Sequence, residues 1–93
     1  MNLERLTKNG LESIEGEIYR GLGIYKENNT YYCILLNGIN KGLALCSCSK
    51  LKLMKDFINK ALELSSVDEI EKMFINSNLS RQLARLRNKY WIL

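Results

Sequence analysis

Three cysteines, a row of evenly spaced cations and a group of tyrosines are the residues of this 93-residue chain that bear on chemistry, and histidine is absent. Cys46-Ser47-Cys48 is a C-x-C pair, and Cys33 falls where a hairpin would bring it alongside. Zinc ordinarily takes four ligands, so three sulfurs without histidine are one short, whereas a thiol packs readily as a small hydrophobe. Buried free cysteine is the expectation, with no metal and no cofactor. No serine or cysteine has a histidine to take its proton, and no G-x-x-x-x-G-K phosphate loop occurs. Glu12, Glu15 and Glu17 read as solvated charge rather than as paired catalytic acids. We therefore expect a binding protein and not an enzyme, with no catalytic residue to name.

Charge supplies the stronger lead. Fourteen Lys and Arg against ten Asp and Glu give a net charge of +4, and the excess is concentrated. From Met73 to Leu93 there is no acidic residue, while Arg81, Arg85, Arg87 and Lys89 all fall there. Arg81, Arg85 and Lys89 recur every four residues, and cations in such a row on a helix can neutralise successive phosphates. A plain solvated helical face has the same pattern. These four are the candidate residues for binding nucleic acid or an acidic partner. Glu63, Asp68, Glu69 and Glu71 form a block of opposite sign just before them.

Tyr19, Tyr25 and Tyr31, with Arg20 and Lys41, make a candidate second contact surface, because rings on strands can stack on bases or anchor a protein interface. Ordinary cross-strand aromatic pairing would use the same residues.

The elements that must position these groups follow from periodicity. Leu3, Leu6 and Asn9-Gly10 suggest a short helix stopped by glycine, with Leu11 and Ile14 continuing its face. Residues 17–25 alternate as one half-buried strand, residues 30–36 as a second, central one, and residues 42–48 as a third. The loop from Asn37 to Lys41 is read as the longer of two options, so that Leu35 faces Leu43. From Ser49, a suitable N-cap, the period becomes helical to Leu64, with Leu51, Met54, Ile58, Ala61 and Leu62 on one stripe. Ser66 to Glu69 matches a capping box that opens a second helix burying Val67, Ile70, Met73 and Phe74. Asn76-Ser77-Asn78 would break it, and Leu79, Leu83, Leu86 and Tyr90 mark a third helix. The last two have helix-turn-helix proportions, which a plain helical hairpin also satisfies.

The expected fold is α+β: one domain spanning 1–93, with a three-stranded antiparallel meander over 17–48 packed on the 49–64 core helix. Two C-terminal helices follow over 66–92. Whether Trp91, Ile92 and Leu93 pack on the core or form an exposed end stays open. An odd cysteine count and a polar start, Met-Asn-Leu-Glu-Arg, fit a reducing cytoplasm, and no apolar run approaches a membrane span. The lack of proline with abundant Asn, Lys and Ile suggests an AT-rich bacterial or phage coding sequence.

The order Tyr19-Arg20-Gly21-Leu22-Gly23-Ile24, then Tyr32 leading into Ile34-Leu35-Leu36-Asn37-Gly38, then Lys41-Gly42-Leu43 and a helix, resembles the integrase and homing-endonuclease type of three-stranded DNA-binding domain. The resemblance covers residues 19–64. It implies a sheet that enters the major groove with basic and aromatic side chains, for which Arg20 and Lys41 are the matching cations. In size, composition and lack of active-site chemistry the chain also resembles small phage-encoded inhibitors such as anti-CRISPR proteins. That likeness implies a host protein complex as target, blocked through Tyr19, Tyr25 and Tyr31. The leading expectation is a nucleic acid or nucleoprotein partner engaged by the basic C-terminal helix, without a membrane. A homodimer burying the Leu79, Leu83, Leu86 and Tyr90 stripe is the remaining alternative.

Overall fold

Tight turns shape the first half of the chain. The structure, a computed structural model, describes residues 1–73, 75 and 77–92, with Ser77, Trp91 and Ile92 as backbone only. Phe74, Asn76 and Leu93, and the side chains of Trp91 and Ile92, lie outside the described residues, and with them the expectations for Phe74 and for the Trp91-Ile92-Leu93 end. Strands β1 (Asn2–Thr7), β2 (Gly10–Tyr19), β3 (Leu22–Glu27), β4 (Thr30–Ile34) and β5 (Ala44–Cys48) form one antiparallel sheet in sequence order. Helices α1 (Leu51–Leu64), α2 (Val67–Glu71) and α3 (Ser77–Ile92) follow. The α+β class and the antiparallel sheet are as expected, but there are five strands and not three.

Both extra strands have a physical origin. Leu3, Leu6, Leu11 and Ile14 read as a helical stripe, yet they are cross-strand partners in the β1–β2 hairpin, Leu3 opposite Ile14 and Leu6 opposite Leu11. The 17–25 strand is likewise two strands. Arg20 and Gly21, at φ 52° and 89°, form a two-residue turn of the hairpin type, and a period of two runs through such a turn without a visible break. Facing changes across it. Tyr19 pairs with Leu22 and packs with it and Ile24 against the helices, whereas Ile18 is exposed. Asn28 and Asn29, both at positive φ, make the next turn in the same way.

β2 changes partner along its length. Residues 10–15 pair with β1 and residues 16–19 with β3, so the strand bends at Gly16. A Cβ there would lie 2.4 Å from the Ile24 carbonyl oxygen and 2.7 Å from Leu3 Cδ1, so only glycine lets β1 fold over. The fold-over brings the Leu6 amide within 3.0 Å of the Gly42 carbonyl oxygen, just ahead of β5, and the sheet becomes partly closed. Gly42 itself sits at φ 84° with the Leu6 nitrogen 2.7 Å from where a Cβ would be. Inside the curl Leu3, Tyr25 and Ile34 form a small core with Ile14, Tyr32 and Leu36 around it. Ion pairs of Lys41 with Glu4 at 2.6 Å and Arg5 with Glu27 at 2.5 Å lie along the same seam.

The larger core lies between sheet and helices. α1 buries Met54, Phe57, Ile58 and Ala61, and α3 adds Leu79, Leu83, Leu86 and Tyr90, against Leu22, Ile24, Cys33 and Leu35. Full burial of a side chain such as Phe57 contributes about 1.5–3 kcal/mol. The loop ahead of β5 runs as read from the sequence: Leu35 donates to the Leu43 carbonyl at 3.1 Å, and Gly42 donates to that of Leu35 at 2.8 Å.

Each helix start differs in some detail from expectation. The N-cap of α1 is Lys50, whose side chain makes no capping bond, and not Ser49. Ser66 does cap α2 by accepting from the Glu69 amide at 3.2 Å, but the Glu69 carboxylate turns to the Ser65 hydroxyl instead of completing the box. α3 starts at Ser77, so Ser77 and Asn78 are helical and not part of a break. No helix of the described residues is long and apolar enough to cross a membrane.

Candidate functional site

Successive residues of an α-helix are turned by about 100°, and this divides the four C-terminal cations. Arg81, Arg85 and Lys89 fall within about 80° of one another, their centre about 130° from that of the buried Leu79, Leu83, Leu86 and Tyr90 stripe, with Lys89 bordering it. Arg87 lies about 160° from both Arg85 and Lys89, on the flank that meets β5. All four are exposed, and none forms an ion pair among the described residues. The expected cluster of four is thus a row of three with Arg87 apart.

A neighbouring helix extends the row. Arg85 and Lys89 line one side of a groove of about 310 Å³ whose other side is Lys60, Glu63 and Leu64 of α1. Lys60 reaches Asp56 at 3.6 Å and sits 5.8 Å from the centre of the Tyr90 ring. Sequence spacing on α1 shows Lys60 as one exposed lysine among several; only the packing of α1 on α3 sets it beside Arg85 and Lys89. With its cap, α1 carries Lys50, Lys52, Lys55 and Lys60 against Asp56 and Glu63, while α3 carries no acid at all. The α1 and α3 pair is therefore the basic part of the molecule, and most carboxylates belong to β1, β2 and α2.

The second contact surface is dispersed. Tyr25 is a correction: at 7% exposure it is part of the inner core, stacked on Tyr32 with ring centres 5.0 Å apart, because the β1 hairpin covers it. Tyr19 is half-buried against the helices, its hydroxyl donating to Asn59 at 3.0 Å, with Lys55 over its ring at 5.2 Å. Arg20 also donates to Asn59, at 2.9 Å. Tyr31 is half-buried beneath Lys26, whose ammonium lies 5.4 Å from the ring centre. Lys41 is held by Glu4 on the closing seam. Tyr19, Arg20 and Asn59 adjoin one another, but Lys41 does not join them. On the sheet face turned away from the helices, Leu3 packs over Tyr25 and Ile34.

Cys33 sits opposite Cys46 in the ladder, and the Cys46 and Cys48 sulfurs are 3.7 Å apart. All three are free and buried, and burial pushes each thiol upward, Cys46 to about 12. Among the described residues no group of His, Cys, Asp or Glu forms a metal site. The Leu79, Leu83, Leu86 and Tyr90 stripe is buried within the chain, which corrects the expectation that it lies open to a second copy. Compared with family models, curated proteins and solved structures, the chain matches none.

Proposed function

We infer that the chain is a non-enzymatic binding protein whose α3 face docks on the phosphate backbone of a nucleic acid. The row of Arg81, Arg85 and Lys89, exposed and unpaired among the described residues on a helix without acids, carries this reading. At 1.5 Å rise per residue the row extends about 12 Å, over which duplex DNA offers several phosphates. Lys60 is within the same groove and adds a fourth cation. The buried stripe of Leu79, Leu83, Leu86 and Tyr90 anchors the same helix to the core, so the spacing of the row is held before any partner arrives. Backbone contacts of this kind give affinity without sequence reading.

Fluorescence titration of labelled duplex DNA and single-stranded RNA across a salt series tests the reading. Three phosphate contacts give a slope of log K against log salt of about −2.7 on duplex and about −2.1 on a single strand, and Lys60 as a fourth steepens these to about −3.6 and −2.8. Binding that is absent or insensitive to salt on both discards nucleic acid as the partner. Pull-downs with and without nuclease then separate an acidic protein surface from a nucleic acid bridge.

A further inference from the structure

A second group of cations stands on the other flank of α1. Five residues along a helix are turned by about 140°, so Lys55 and Lys60 border the exposed face of α1 from opposite sides. Lys60 belongs to the groove shared with Arg85 and Lys89. Lys55 belongs to another, of about 520 Å³, whose polar lining is Lys52, Lys55, Asp56 and Asn59. Arg20 reaches this groove from the β2–β3 turn by donating to Asn59 Oδ1 at 2.9 Å, and the Tyr19 hydroxyl donates to the same oxygen at 3.0 Å. Both bonds end on the oxygen, so the N–H donors of the Asn59 amide stay uncommitted among the described residues. The Tyr19 ring holds the Lys55 ammonium 5.2 Å from its centre. Asp56, the one carboxylate among the described lining residues, already meets the Tyr90 hydroxyl and Lys60. Arg20, Lys52 and Lys55 form no ion pair among the described residues.

We propose that duplex DNA lies along α1, the phosphates of one strand on the α3 row with Lys60 and those of the other strand on Arg20, Lys52 and Lys55. The inference rests on the nucleic-acid reading of α3 and adds to it a second row and a commitment to two strands. Like charges gathered from two elements repel until an anion sits among them, and phosphate oxygens accept from ammonium, guanidinium and amide donors alike. A helix with its side chains is about 10–12 Å across, close to the major-groove width of about 12 Å. Two rows of cations flanking one helix therefore match two rows of phosphates flanking one groove. A single strand offers one such row.

The test titrates labelled duplex DNA and one of its single strands across a salt series, with charge-neutralised variants of the full chain. Seven phosphate contacts give a slope of log K against log salt of about −6.3 on duplex, against about −3.6 from the α3 row and Lys60 alone. Replacing Arg20, Lys52 and Lys55 together by Gln returns the slope to about −3.6. The pair Lys52→Gln and Lys55→Gln spares the Arg20 bond to Asn59, gives about −4.5, and decides alone if the triple variant does not fold. Replacing Lys8, Lys41 and Lys72 by Gln, all outside α1 and α3, removes the same charge and leaves the slope unchanged. The single strand stays near about −2.8, with or without the triple substitution. A duplex slope near −3.6 that neither variant moves overturns this inference and leaves the α3 reading standing, whereas no salt-dependent binding at all overturns both. Equal loss from the Lys8, Lys41 and Lys72 variant, or a single strand that loses as much as the duplex, also overturns it.

Discussion

The Tyr90 hydroxyl donates to the Asp56 carboxylate at 2.5 Å, tying the last turn of α3 to the middle of α1. The same ring stands edge-on to Phe57 with centres 5.8 Å apart, so one residue joins the core to a surface carboxylate. This junction holds the end of the basic row against α1.

Acid should loosen that junction. Hydrogen bonding from Tyr90, assisted by Lys60, holds the Asp56 carboxyl below its ordinary 3.8. A depressed carboxyl contributes stability above its unfolded value and loses it as pH falls through the folded one. Burial first, and the bond to Asp56 second, push the Tyr90 phenol above its ordinary 10, so its contribution is complete below pH 10 and is lost on further rise. We expect Tyr90→Phe to flatten the acid limb of stability against pH, measured by urea midpoints, and to return the Asp56 titration, followed by NMR, toward 3.8.

The inner core gives a second expectation. Leu3 is buried against Gly16, Gly23 and the Tyr25 and Ile34 cluster, so Leu3→Ala should cost about 2–5 kcal/mol. Gly16→Ala should destabilise as well, because its new methyl meets a backbone carbonyl that cannot move aside. Denaturant unfolding and near-ultraviolet circular dichroism of the Tyr25 and Tyr32 pair read both. Native-like stability in both variants would mean that β1 does not close over the sheet.

Splitting the cations makes a third. Changing Arg81, Arg85 and Lys89 to Glu should abolish salt-dependent binding to nucleic acid, while Arg87→Glu should leave the salt slope unchanged. Equal loss from the two variants would show that the helix acts only through its total charge.

The thiols supply a fourth. Buried and raised above their ordinary 9.0, Cys33, Cys46 and Cys48 should resist a disulfide reagent at pH 8 in the native state and react together on unfolding. Rapid native labelling of any one of them would place it outside the core.

Much of the helical half was legible because its signal is local. The stripes of Met54, Ile58 and Ala61 and of Leu79, Leu83, Leu86 and Tyr90 have the helical period, and the buried faces follow it. The Leu35 and Leu43 pairing was legible because only the longer loop sets two leucines together. The first hairpin was not, since Leu3, Leu6, Leu11 and Ile14 satisfy a helical spacing and a hairpin register at once, and only pairing with β3 decides between them. Tyr25 looked available for the related reason that nothing local announces the strand covering it. The row of cations was visible, but the separation of Arg87 needed the helix to be oriented against β5.

The clasp between Leu6 and Gly42 bears on the order of assembly. Every strand meets the one next to it along the chain, so each hairpin can form from near neighbours at little entropic cost. The clasp instead joins positions far apart in the chain and needs β2 already bent at Gly16. We therefore expect closure to come late in folding, so that a substitution confined to it speeds unfolding far more than it slows refolding.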